Sequence, residues 1–220
     1  MFETVKENLS HIQEEIVPYK PNIIAVTKYF GLDAIIAAYQ AGLRDFGESR
    51  AIEAIEKIHQ LPEDVVKNSK FHFIGHLQTN KVKKVVENFD YIHSIDSVKL
   101  AEAVSNAALE AGKIQNVLLQ INNANEIQKF GFSKDDLEES FPKIQVLKGI
   151  KVVGLMNMAP LGAAPELLET LFTDVVSTRD DLQKKYNCEL PEISMGMSQD
   201  YVIAARCGAT MLRIGRKLFS

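Results

Sequence analysis

Eight short apolar segments recur along this chain, and helix-like spacing fills the stretches between them. That alternation constrains the fold more than any other feature. The segments are 22–28, 45–48, 71–75, 91–95, 116–122, 150–156, one ending at 192–194, and 210–215. Strands joined by helices lie parallel, with right-handed crossovers. Eight such units in 220 residues predict an α/β fold, a compact (β/α)8 barrel of the TIM type. A doubly wound open sheet is the alternative, but eight strands are many for it. No Gly-x-Gly-x-x-Gly follows the first strand either. An extra helix precedes the barrel: Phe2, Val5, Leu9, Ile12 and Ile16 give residues 2–16 one apolar face. The whole chain, 1–220, reads as one domain.

Local signals place the connections. A helix over 32–41 ends at Gly42, and 49–59 carries Ile52, Ile55 and Ile58 on one face. Leu61–Asp64 opens a polar loop. Thr79 caps the helix holding Val82, Val85 and Val86, and Asp96 or Ser97 caps the helix ending at Gly112. A loop spans 123–131, after which Ser133-Lys-Asp-Asp136 forms a capping box, and Pro142 divides the helix it starts. A long helix runs from Pro165 to about Lys185, and Ser198 opens another to about Cys207.

Charge and cysteine usage narrow the function. The net charge is −4 and no basic run stands out, which argues against nucleic acid and anionic membranes as partners. Cys188 and Cys207 have no metal-like spacing, which points to a reducing cytoplasm rather than a disulfide framework. No apolar run approaches the roughly 20 residues of a membrane span.

In a barrel of this kind the chemistry sits where the strands end. Lys28 closes the first strand, on the same face as Ile24 and Val26. An inward lysine is costly unless paired, neutral or used covalently. Its covalent use would be an aldimine with pyridoxal 5′-phosphate (PLP); the alternative is a strand-end lysine that reaches solvent. Phosphate sites often use the loops after strands seven and eight, here Ser194-Met195-Gly196-Met197-Ser198 and Ile214-Gly215-Arg216. Ordinary turn glycines and an ordinary N-cap would look the same. Arg213 points inward if Leu212 and Ile214 face the helices. It could serve a pyridine nitrogen, or pair with an acid such as Glu48. His72, His76 and His93 read as structural, with no zinc spacing, Met156 and Met158 as packing, and Lys81, Lys83 and Lys84 as a solvated helix face.

The motifs then converge. Ile24-Ala25-Val26-Thr27-Lys28, Phe46-Gly47-Glu48-Ser49, Phe71 to Lys81, His93-Ser94-Ile95-Asp96, Gly154-Leu155-Met156, Ser194 to Asp200 and Arg213-Ile214-Gly215 occur in that order. Through them the chain resembles the pyridoxal phosphate homeostasis proteins along essentially its whole length. The resemblance implies a barrel like the N-terminal domain of alanine racemase, with PLP on Lys28 and Arg213 at the ring nitrogen. It also implies phosphate contacts around Ser194 and Gly215, and a role in vitamin B6 homeostasis rather than a defined reaction. The expected cofactor residues are Lys28, Ser194, Gly196, Arg213, Gly215 and Arg216.

Two departures stand out: Ser49 replaces the family's asparagine, and the chain stops at Phe219–Ser220, leaving the last loop less well tied down. A reversible PLP carrier, monomeric and able to serve PLP-dependent apo-enzymes, is the main functional reading. A racemase or decarboxylase of weak activity is the alternative, with Tyr201 or a barrel histidine as second base. A protein-interaction scaffold with a vestigial pocket is the third.

Overall fold

The computed structural model closes eight parallel strands into a barrel, in sequence order. It describes residues 1–124 and 130–220, so part of the expected 123–131 loop lies outside the described residues. The strands are β1 (Asn22–Val26), β2 (Asp45–Glu48), β3 (Lys70–Phe73) and β4 (Tyr91–Ile95), then β5 (Gln115–Ile121), β6 (Ile150–Asn157), β7 (Glu192–Ser194) and β8 (Met211–Ile214). β1 pairs with β8 to complete the ring, which rules out the open sheet.

Alternation along each strand sets two layers. Ile23, Ala25, Phe46, Phe71, Ile92, Leu212 and Ile214 are buried in the layer beneath the helices. Each large apolar side chain contributes roughly 1.5–3 kcal/mol there. The other set points into the barrel. Ile24 lies opposite both Asp45 and Arg213, and Gly47 lies opposite His72. Neighbours in a parallel ladder share a face, so Asp45, His72 and Arg213 all point inward. Leu118, Val153 and Met156 form a small apolar cluster of their own.

The helices are α1 (Phe2–Glu15), α2 (Leu32–Gln40), α3 (Ala51–Gln60), α4 (Glu63–Lys67) and α5 (Val82–Asn88), then α6 (Val98–Glu110), α7 (Lys134–Ile144), α8 (Pro165–Tyr186), α9 (Tyr201–Arg206) and α10 (Arg216–Phe219). Several local expectations need correction. β1 stops at Val26, because Phe30 N–H bonds Thr27 O (2.9 Å) and turns the chain. The supposed loop after Leu61 is α4, held by buried Val65. Thr79 begins a 3₁₀ turn over Thr79–Lys81 and caps nothing through its side chain. Of the two candidate caps for α6, Ser97 accepts from Leu100 N–H.

The Ser133 capping box holds, since Ser133 Oγ accepts from Asp136 N–H (3.1 Å). Pro142 does not divide α7. A proline there leaves the carbonyl of Glu138 without its helical donor. The Tyr186 hydroxyl at the end of α8 supplies one at 3.2 Å. Ser198 does not cap α9, which starts only at Tyr201. The chain end is not loose: Asn8 Nδ2 on α1 donates to the Leu218 and Ser220 carbonyls, both at 3.1 Å. The Phe219 ring packs 4.7 Å from that of Phe30.

Candidate functional site

A cavity of about 560 Å³ opens at the C-terminal mouth of the barrel, within the roughly 300–1,000 Å³ of small-molecule sites. Lys28, Arg213, Gly215 and Arg216 line it, together with Ile74, Met158 and Asp200. Tyr29 and Leu161, 71% and 81% exposed, stand at its rim. Thus β1 and β8, neighbours only because the barrel closes, bring four of the six expected residues to one hollow.

Lys28 lies just beyond β1, half-buried. Among the described residues it makes no ion pair, and its ammonium lies 5.0 Å from the Tyr29 ring centre. Its backbone is held from behind. Lys57 on α3 donates to Thr27 O (3.0 Å) and Phe30 O (3.2 Å) and pairs with the Glu48 carboxylate. Thr27 Oγ1 donates to the same carboxylate at 2.7 Å. Glu48 therefore faces outward, under α3, and is not the partner of Arg213.

Arg213 enters the barrel as its alternation with Leu212 and Ile214 requires. Its Nη1 donates to Ser194 Oγ (2.6 Å) and its Nη2 to Asn157 O (2.8 Å). Burial pushes the guanidinium down to about 10, against the pull of the Asp200 carboxylate, so it stays charged at neutral pH. Burial in turn raises Asp200, opposed by the Met197 N–H and Arg213.

Ser194 and Gly196 sit beneath the cavity rather than on its wall. Ser194 is fully buried, with its hydroxyl between Arg213 and His93. Gly196 turns the loop after β7 at φ 89°, where a Cβ would stand 2.5 Å from Ala204 Cβ. That loop is fastened by Asp200 Oδ1 accepting from Met197 N–H (2.5 Å), and by Gly196 O accepting from Arg213 N–H (2.9 Å). Ser198 Oγ accepts from Lys217 N–H (3.3 Å), joining the loops after β7 and β8. Ser49 lines a separate cleft of about 320 Å³ with Arg50, His76 and Lys81.

Two histidines read as merely structural belong with Arg213. His72 Nε2 meets Asp45 Oδ1 (2.8 Å), His72 Nδ1 meets His93 Nε2 (2.9 Å), and His93 Nδ1 meets Ser194 Oγ (2.9 Å). The alternation that turned Arg213 inward applies equally to His72 between Phe71 and Phe73, and to His93 beside Ile92. Glu48, Lys57 and Asn157 had no comparable signal, because their roles depend on which element packs behind them. Among the described residues no group of three or more His, Cys, Asp or Glu is arranged to hold a metal. No described helix is long and apolar enough to cross a membrane.

Comparison with known proteins agrees with this geometry. The family model for the alanine racemase N-terminal domain matches residues 2–220. A pyridoxal phosphate homeostasis protein of Synechocystis is 40% identical over 92% of this chain and 92% of its own length. The structure of PipY from Synechococcus elongatus, solved with PLP bound, superposes with a TM-score of 0.88 at 36% identity. The match covers 98% of this chain and all of PipY. Alanine racemase of Clostridium difficile shares the fold alone, at 12% identity and a TM-score of 0.79, over 99% of this chain and 55% of the racemase. A closed parallel barrel with its cavity between β1 and β8, matched over nearly the full chain by these relatives, places the protein in the family of pyridoxal phosphate homeostasis proteins.

Proposed function

We propose that this chain binds PLP reversibly, with Lys28 as its covalent anchor, and buffers or delivers the cofactor in vitamin B6 homeostasis. The observation that carries the reading is the pairing of Lys28 with Arg213 across one cavity. The donor set fits the group. An aldehyde needs an amine, which Lys28 offers without a competing carboxylate among the described residues. A pyridine nitrogen needs a donor, and Arg213 is held at the floor by Ser194 and Asn157. A phosphate needs cations and close backbone, and Gly215 and Arg216 line the cavity together with Met197, Ser198 and Gln199 of the Gly196-containing loop. Ser194 and Gly196 act from below, one fixing Arg213 and the other shaping the loop. Bound PLP supplies an electrophilic aldehyde on an electron-withdrawing ring. An arginine partner leaves the ring nitrogen largely unprotonated, which weakens that withdrawal.

The second bases that the sequence offered are engaged elsewhere, which favours carriage over turnover. A two-base reaction needs a second proton donor facing the cofactor. The Tyr201 hydroxyl instead bonds Glu15 on α1, outside the cavity. His72 and His93 are committed to each other, and the His76 ring stacks on Phe130, 3.7 Å away. Delivery to PLP-dependent apo-enzymes, a monomeric state and a cytoplasmic location complete the proposal, in keeping with two free, half-buried cysteines.

The test is the visible spectrum of the protein with added PLP, for wild type and Lys28→Ala. A band that borohydride bleaches in the wild type and that the variant lacks is expected. Absence of a band in the wild type refutes the proposal, and a band retained by Lys28→Ala refutes the anchor. Incubation of the loaded protein with single amino acids in deuterated water separates carriage from turnover: α-proton exchange at a useful rate would sink the carrier reading.

A further inference from the structure

The barrel interior carries an unbroken polar chain that cofactor binding alone does not explain. It starts at Asp45, at the N-terminal end of β2, and crosses through His72 on β3, His93 on β4 and Ser194 on β7 to Arg213 on β8. Its links measure 2.8, 2.9, 2.9 and 2.6 Å. His72, His93 and Ser194 are fully buried. The Tyr91 ring stacks on His72 at 4.6 Å and fixes its plane.

With neutral imidazoles, the Asp45 carboxylate dictates every proton along the chain. An ionised carboxylate only accepts and a guanidinium only donates. Asp45 therefore places a hydrogen on His72 Nε2. A neutral His72 then has a bare Nδ1, so His93 must donate from Nε2. His93 Nδ1 is bare in turn, so Ser194 must spend its one hydrogen there. That leaves the Ser194 lone pairs for Arg213. No other arrangement satisfies all four links with neutral imidazoles.

We propose that Asp45, His72, His93 and Ser194 are positioning residues that act as one polarised hydrogen-bond chain, directing the single Ser194 hydrogen to His93, orienting its lone pairs towards Arg213, and coupling the cavity floor to the opposite end of the barrel. Surrounding charges support the polarity. Burial above all, with the Arg213 charge beside it, holds His93 well below the usual histidine range, which keeps it neutral. Burial raises Asp45, but the hydrogen bonds from His72 and Asn22 and the Lys70 charge outweigh it and hold the carboxyl low. Tyr91 is raised by burial and faces Lys70, Glu192, Asp45 and Asp90, so its phenol stays protonated at neutral pH. Asp200 is the acid that faces Arg213.

The experiment reads the side-chain ¹⁵N resonances of His72 and His93 in the full chain at pH 7, before and after adding PLP. Both are expected as neutral imidazoles protonated at Nε2. In Asp45→Asn the terminal amide can donate as well as accept, so the chain can run backwards. Loss of the carboxylate removes what fixes the direction, so both histidines are expected to shift towards the opposite tautomer together, and PLP affinity to fall at least threefold although Asp45 lines no part of the cavity; two unshifted histidines overturn the claim that Asp45 sets the direction. Ser194→Ala, expected to perturb His93 Nδ1, and Ser194→Thr, expected to restore it, serve if Asp45→Asn does not fold. A doubly protonated His93 in the wild type, or a change confined to His72 in Asp45→Asn, overturns the proposal. So does unchanged PLP affinity when the tautomers flip. The affinity arm rests on the proposed function; the tautomer arm does not, so a wild type that binds no PLP refutes that function and leaves the chain to be judged by its resonances.

Discussion

Replacing Lys57 with methionine should destabilise the fold by about 3 kcal/mol, and the size follows from what Lys57 leaves behind. Its ammonium serves two carbonyls and the Glu48 carboxylate. Glu48 is 1% exposed, and its second oxygen has no hydrogen-bond partner. Removing the cation strands a buried charge with only the Thr27 hydroxyl as donor. Breaking a buried pair from one side costs about 3–5 kcal/mol. The Lys57 side chain is 17% exposed, so water can reach the site and the lower end applies. At a urea slope of roughly 2 kcal/mol per molar, the midpoint should fall by about 1.5 M. Glu48→Gln in the same chain removes the stranded charge while keeping an acceptor for Thr27. The double variant should regain at least half of the loss. PLP affinity should stay reduced in both variants, because neither restores the two hydrogen bonds that hold the Lys28 turn. Equilibrium urea unfolding with unchanged slope is the assay. A loss below about 1 kcal/mol for Lys57→Met, or a double variant no more stable than it, would refute the buried-charge argument.

Gly196→Ala should cost about 2 kcal/mol or more in thermal or urea unfolding, because a Cβ at φ 89° would press on Ala204 Cβ at 2.5 Å and Leu212 Cδ2 at 2.9 Å. Pro142→Ala should stabilise by about 1–3 kcal/mol by returning an N–H to the Glu138 carbonyl. Tyr186→Phe should then cost less in that background than in the wild type, a non-additivity that a double-mutant cycle reads directly. His93 has a folded pKa well below the usual value, so only the unfolded chain takes up its proton as pH drops. Its contribution is present in full above about pH 6.5 and is lost below it, by up to about 1.4 kcal/mol per pH unit. Unfolding measured from pH 7 to 5 should therefore be shallower in His93→Gln, and identical profiles would contradict the buried neutral histidine.

Sequence periodicity determined which face each strand residue takes. The alternation around Lys28 and Arg213, and the repeated strand–helix order, were enough for the closed barrel and for two residues meeting at its mouth. Local capping chemistry marked the helix starts at Ser97 and Ser133, but not at Thr79 or Ser198, where the helix begins further along the chain. Partners remote in sequence were decided only by the tertiary structure. His72, His93 and Ser194 come from three strands and meet because closure and register set their heights inside the barrel. β4 shifts register between Ile92 and Ile95, beside His93. Tyr201 turned to Glu15 rather than the cavity, and Pro142 was accommodated by Tyr186 from another helix. Periodicity carries the direction of a side chain but not the identity of the group it meets, because that group is supplied by whichever element the closed barrel packs alongside.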